Sequence, residues 1–174
     1  MVKNLLKACF MMAALTAAGQ AAAETYTVGS GGTYRPFEFE NSQKQLEGFD
    51  IDIIKAIAKA EGFDVKLVNT PWEGIFATLN TGDRDIIISG ITITDKRKQM
   101  VDFSAPYFPA EQSIVVAQDS QVDSLAALKN EKVGVVNSST GDIVVSEVLG
   151  KNSTAIKRFD NTPLMLQELF EDGV

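Results

Sequence analysis

The chain of 174 residues contains no histidine. That absence removes Ser-His-Asp and Cys-His nucleophile systems and every zinc site built on imidazole. Its one cysteine, Cys9, falls in an N-terminal stretch laid out like a leader. The chain after residue 23 therefore has neither a disulfide framework nor thiol chemistry. Positive charge is also scarce: 16 Lys and Arg stand against 23 Asp and Glu, a net charge of −7. Loss of Lys3 and Lys7 with the leader takes that to −9. So acidic a chain is a poor ligand for nucleic acid, whose binding rests on neutralising phosphates. Beyond the N-terminus no apolar run is long enough to span a bilayer as a helix. There is no internal repeat and no low-complexity linker.

Hydrophobic residues make up 45% of the chain, enough for a packed core. The leader, residues 1–23, carries Lys3 and Lys7, an apolar stretch from Ala8 to Ala18, and small residues at Ala21, Ala22 and Ala23. This is the pattern of a secretory signal peptide cleaved near Ala23. Cys9 is not read as a lipid attachment site, because it comes too early and "LKAC" places a lysine where a small residue is required.

After the leader, strand and helix patterns alternate. "TYTVGS" (25–30) reads as a strand running into the glycine-rich loop "SGGTYRPFEFE". "GFDIDIIKAIAKAEG" (48–62) reads as a helix with Asp50 as N-cap, Asp52 in its first turn, and Gly62 at its stop. Its apolar positions Ile51, Ile54, Ile57 and Ala58 recur at helical spacing. Strands are expected at 63–69, 85–89, 113–117, 132–136 and 153–159. Helices are expected at 72–82, 124–130, 142–150 and 161–173, the last with Thr162 as N-cap and Pro163 in first position, and Asp95 is placed to cap a single helical turn over "KRKQM". Such alternation predicts parallel βαβ units and an α/β fold. Two prolines in "PYFPAEQ" (106–112) interrupt it, which divides the chain into a first lobe, 24–110, and a second, 111–174.

In open α/β sheets ligands sit beyond the carboxyl ends of the strands. Four loops fall there: "GSGGTYRPF", "VNTPWEG", "SGITITDKR" and "VNSSTGD". Gly90 permits close approach to its backbone. Thr92 offers a hydroxyl and an N–H, with Thr94 two residues on. Arg97 offers a planar fork matched to a carboxylate. Together these suit an α-carboxylate, with the Gly90 carbonyl accepting from an α-ammonium. An Arg97 paired with Asp95 or Asp102 is the competing reading. "NSSTGD" opens a helix and points N–H groups and hydroxyls at an anion position; plain capping by Thr140 or Asp142 reads it equally well. No Gly-Lys-Ser/Thr follows, so it is not a phosphate-binding P-loop. Tyr34 and Trp72 lie in loops, where they wall a pocket or simply pack. Asp50 and Asp52 belong to a helix start, and Asp83 and Asp85 to the surface.

Taken in order and spacing, the leader, "YRPFEF", "GFDIDIIKAIA", "GDRDIIISGITITDKR", "VDFSAPY" and "KVGVVNSSTGD" resemble the family 3 extracellular solute-binding proteins, the polar amino acid receptors of bacterial ABC importers. The resemblance covers the whole chain after the leader. It implies a periplasmic, monomeric, type II two-lobed clamshell that closes on one amino acid and delivers it to a membrane permease, with no metal, no cofactor and no catalytic residue. Position by position, Arg97 resembles the clamp on the α-carboxylate, and Thr92 the residue that meets carboxylate and ammonium. Gly90 resembles the carbonyl acceptor for the ammonium. Tyr34 and Trp72 resemble the aromatics around the ligand side chain. Ser139, Thr140 and Gly141 resemble the second-lobe loop over the carboxylate, and Asn137 a polar ligand or hinge residue.

Two departures qualify the match. Gly31 stands where several members carry an aspartate that recognises a cationic or amide side chain, which argues against lysine, arginine or histidine and, less strongly, glutamine. The segment in which the family places a second-lobe aspartate for the ammonium, with the return crossover, is not present, so the second lobe is expected to be incomplete and the chain truncated. Three other readings compete: a periplasmic enzyme on the same fold, such as a cyclohexadienyl-type dehydratase; a sensor domain, which needs a membrane helix; and a non-binding remnant.

Overall fold

The computed structural model describes residues 23–174. Residues 1–22 of the expected leader, Cys9 included, lie outside the described residues. The chain runs β1 (Thr25–Ser30), β2 (Thr33–Tyr34), β3 (Glu38–Glu40), β4 (Leu46–Glu47), α1 (Phe49–Glu61), β5 (Asp64–Asn69), α2 (Ile75–Asn80), β6 (Ile86–Ile87) and α3 (Asp95–Lys98). A short 3-10 turn (Ala127–Asn130) then precedes β7 (Val133–Val136), α4 (Thr140–Leu149), β8 (Ile156–Phe159) and α5 (Thr162–Phe170).

The expected α/β alternation is present. β1 is central in a parallel sheet of order β5-β1-β6, and β7 pairs in parallel with β8. Each parallel sheet has its own apolar cluster. Val28, Ile54 and Ile88 form one, flanked by Ile53, Val65, Leu67 and Ile86. Leu128, Val135, Val145 and Ile156 form the other, flanked by Val122, Val133 and Leu149. α1 supplies much of the first: Ile51, Ile54 and Ala58 are buried at helical spacing, each large side chain gaining about 1.5–3 kcal/mol from leaving water. Gly62 ends α1 in the left-handed region (φ 76°), and its N–H donates to Ala58 O at 2.9 Å, as the pattern predicts.

Several expectations need correction. The loop after β1 is a small antiparallel sheet, β2-β3-β4, in which Thr33 faces Phe39 and Phe39 faces Glu47. The strand expected at 113–117 does not form. Ile114, Val115 and Val116 are exposed there, and a strand needs a ladder partner for its N–H and C=O groups. Only a 3-10 turn forms within 124–130. Caps sit one residue earlier than expected: Thr94 accepts from Arg97 N–H, and Asn161 accepts from Leu164 N–H. Asp50 does not cap α1; Gly48 occupies that place without a side-chain bond, and Asp50 is fully buried in the first turn. Ile57, expected in the core, is exposed.

These burials predict a contrast. Ile51→Ala should lower unfolding free energy in urea by about 2–5 kcal/mol, and Ile57→Ala by under about 0.5 kcal/mol. Equal losses would contradict the assigned face of α1.

Candidate functional site

Arg97 is the centre of the candidate site. It lies in α3, whose start is set by the Thr94 cap, and it is 6% exposed. Its guanidinium donates to Thr92 O at 2.9 Å and to Ser138 O at 3.4 Å. The Trp72 and Phe76 rings lie 5.3 and 5.5 Å from its central carbon. Among the described residues it makes no ion pair; Asp95 is engaged instead by Lys98 at 3.8 Å. The competing reading of Arg97 as an arginine paired with Asp95 or Asp102 therefore fails. Burial pulls its pKa down from the ordinary value, but guanidinium remains a cation. A buried cation held only by carbonyls and ring faces is under-neutralised.

The chain closes around it from the β7 side. Trp72 Nε1–H donates to Asn137 O at 2.9 Å. Ser138 is held at φ 57°, a conformation costing a non-glycine residue about 1–3 kcal/mol. It is fixed there by its N–H bond to Asp142 Oδ2 at 3.0 Å, which turns its carbonyl toward Arg97. Asp142 is itself clamped by Arg158 at 2.9 Å. Burial alone would raise its pKa, but the bonds from Arg158, Ser138 N–H and the Ser146 hydroxyl outweigh it and hold the carboxyl below its usual range. Ser139 caps α4 by accepting from Asp142 N–H, so its hydroxyl serves the helix, in the role expected of Thr140 or Asp142. Thr140 instead accepts from Gln112 Nε2 at 3.0 Å, and Gly141 lies beside the same glutamine. Asn137 joins the site through its backbone carbonyl.

Gly90 and Tyr34 form the second part. Gly90 has φ 54°, and a Cβ there would sit 3.1 Å from the Tyr34 ring, so both backbone and space call for glycine. Tyr34 stacks on Phe37 (centroids 5.6 Å) and lines a cavity of about 350 Å³ with Arg35, Phe39, Thr162, Pro163 and Leu166. Thr92 is half-buried between the two parts and contributes its carbonyl.

Behind Gly90 lies a pair of carboxyls that sequence reasoning missed. Glu38 and Asp50 are 2% and 0% exposed. Burial pushes Glu38 up to about 8, with the Asp50 charge adding to it. Burial also raises Asp50, against the bonds it accepts from Gly90 N–H and Tyr107 O–H. Glu38 lay in a presumed loop and Asp50 at a helix start, and only the fold brings them together. Phe76 on α2 also reaches Arg97, and its position four residues after Trp72 was the available signal.

The chain is similar to several known proteins. Residues 26–173 match the model of the bacterial extracellular solute-binding proteins, family 3. A probable histidine-binding protein of Neisseria gonorrhoeae is 45% identical over 152 residues, which cover 87% of this chain and 57% of that protein. The arginine-, lysine-, histidine-binding protein ArtJ of Geobacillus stearothermophilus superposes with a TM-score of 0.83 at 40% identity, covering 87% of this chain and 64% of that one. The ancestral amino acid-binding protein AncCDT-1, a precursor of cyclohexadienyl dehydratase, superposes at 0.79 with 40% identity, covering 84% and 66%.

The Gly90 geometry yields a prediction. Gly90→Ala should cost about 1–3 kcal/mol in urea unfolding, more than Gly82→Ala. Gly82 has φ 76° with nothing near its would-be Cβ, whereas a methyl at 90 also pushes Tyr34 off its stack. A larger loss at Gly82 would contradict the close contact.

With the match spanning nearly all described residues, the chain belongs to the bacterial extracellular solute-binding proteins of family 3.

Proposed function

We propose that this chain captures a polar amino acid as the periplasmic receptor of an ABC importer, holding the α-carboxylate on Arg97. The observation that carries this reading is the buried Arg97 guanidinium, whose partners among the described residues are two carbonyls and no anion. Its bond to Ser138 O, at 3.4 Å, is at the weak end of hydrogen-bond geometry. A ligand carboxylate would take that arm of the fork and gain a charge-assisted bond in its place. Residues 24–110 and 111–174 act as the two lobes. Trp72 and Arg97 reach from the first to Asn137 and Ser138 of the second, so a ligand seated at Arg97 favours the closed arrangement.

Within this reading Gly90 offers its carbonyl to the α-ammonium, and Thr92 lines the main-chain end of the ligand. Tyr34 and Trp72 wall its side chain. Ser139, Thr140 and Gly141 shape the second-lobe loop, and Asn137 anchors it. Relatives named for histidine, arginine and lysine make those amino acids the first to test, although Gly31 lacks a carboxylate for a cationic side chain. The protein acts by export, binding and delivery to a permease, as a monomer and without nucleic acid.

A dehydratase is the second reading, supported by the likeness to AncCDT-1. It needs an acid facing the substrate. Glu38 keeps its proton to about pH 8, but it is 2% exposed and sealed behind Ser89 and Gly90. Binding without chemistry therefore stands as the proposal.

A thermal-shift screen of residues 24–174 against the twenty amino acids tests it. A ligand at a hundred times its Kd should add about 2.7 kcal/mol. Arg97→Ala should abolish the shift, and Arg97→Lys should restore only part of it, since a point charge replaces a bidentate fork. Unchanged melting with every amino acid would sink the receptor reading.

A further inference from the structure

We propose that Glu38 and Asp50 are positioning residues for the binding site: one proton held between their buried carboxyls fixes the backbone of Gly90, and losing that proton weakens ligand binding. The inference rests on the amino-acid reading above. It begins from a count of donors. Asp50 Oδ2 accepts from Gly90 N–H at 2.6 Å, and Oδ1 from Tyr107 O–H at 3.0 Å. Glu38 Oε1 accepts from the Ser89 hydroxyl at 2.7 Å, and the Ser89 oxygen accepts in turn from Gly31 N–H at 3.0 Å. Glu38 Oε2 is buried with no donor to accept from. An acceptor-only carboxylate there would be both charged and unsatisfied. A protonated oxygen resolves both faults by donating to Asp50.

No lysine or arginine among the described residues forms an ion pair with either carboxyl. The groups that face the pair come from five segments. β3 brings Glu38 and α1 brings Asp50. The segment after α3 brings Tyr107, whose own ionisation is pushed up by burial and by the Asp50 charge. The 89–90 loop brings a hydroxyl and a backbone N–H, and the turn after β1 brings the Gly31 N–H. Among the described residues, the titratable groups facing the pair are three acids, so a second negative charge has nothing there to neutralise it. Repulsion between the carboxylates would pull Asp50 from Gly90 N–H. Gly90 is the residue under Tyr34, two positions before Thr92, whose carbonyl holds Arg97. Both parts of the candidate site thus depend on where this loop sits.

The sign follows from the burial of Glu38. Its proton is favoured in the folded chain up to about pH 8, against 4.5 for the free side chain. The brace is intact at neutral pH and is lost as pH rises through about 8.

Two measurements test this. The first needs no ligand: the Gly90 amide resonance of the 15N-labelled chain is followed from pH 6 to 9.5. It should move with a midpoint near pH 8, and not in Glu38→Gln, whose amide N–H replaces the acid proton. Tyr107→Phe removes a donor to the Asp50 anion, so it should shift the midpoint upward. A Gly90 amide that does not titrate, or a midpoint that Tyr107→Phe leaves in place or lowers, would overturn the brace. The second is calorimetric titration with L-arginine at pH 7 and 9. Affinity should fall roughly tenfold in the native chain. The pH 9 to pH 7 ratio of Kd should shrink in Glu38→Gln to what the ligand's own ammonium causes. An equal ratio in both proteins overturns the coupling to binding. Absence of binding to any amino acid at either pH refutes the receptor reading instead, and with it that coupling, while the Gly90 titration still decides whether the proton fixes the loop.

Discussion

A guanidinium removed from water without an anion is the constraint around which this chain is arranged. Arg97 is buried, and its partners are two carbonyl oxygens and two ring faces. Each partner has a structural cause. The Thr94 cap starts the short helix that carries Arg97. The turn before α2 and its first turn place Trp72 and Phe76 edge to face, 6.2 Å apart. The Arg158–Asp142–Ser138 series holds a strained backbone so that a carbonyl faces the charge. Carbonyl dipoles and aromatic quadrupoles moderate the cost of burial but do not neutralise a charge. The residual positive potential is what a carboxylate would meet.

The opposite sign is stored a short way along the same loop. Asp50 and Glu38 lie behind Gly90, with no cation bonded to either. The segment 89–97 therefore runs from a buried negative pair to a buried cation, through a glycine and a threonine whose backbone groups stay half open. An amino acid carries the complementary order, ammonium then carboxylate. Matching a dipolar ligand with fixed opposite charges, set before the ligand arrives, avoids reorganisation on binding. In the proposed reading, this loop would meet what all amino acids share, and Tyr34 and Trp72 the side chain.

Much of the first parallel sheet was legible in the sequence. β1, α1 and β5 follow from periodicity and from Gly62, because local pattern and tertiary burial agree there. Arg97 was legible as a fork near small residues. What was not legible depends on partners distant in sequence. "SIVVA" has every local mark of a strand but joins no sheet among the described residues. The short β2-β3-β4 sheet is hidden by Pro36 and by the glycines that flank it, Gly31, Gly32 and Gly48. Adjacent cap-competent residues, such as Thr94 and Asp95, cannot be ranked until the backbone leaves the helix. Asp50 shows the deeper limit: an acid in a helix's first turn is ordinary, and only the arrival of Glu38 from β3 makes it part of a proton-sharing pair.

The central claim is that Arg97 awaits the carboxylate of an amino acid. The most direct measurement is calorimetric comparison of L-arginine with L-argininamide, which keeps the ammonium and side chain but replaces the carboxylate by a neutral amide. The account predicts at least a hundredfold loss of affinity for the amide, about 2.7 kcal/mol. Equal affinity for the two would contradict it.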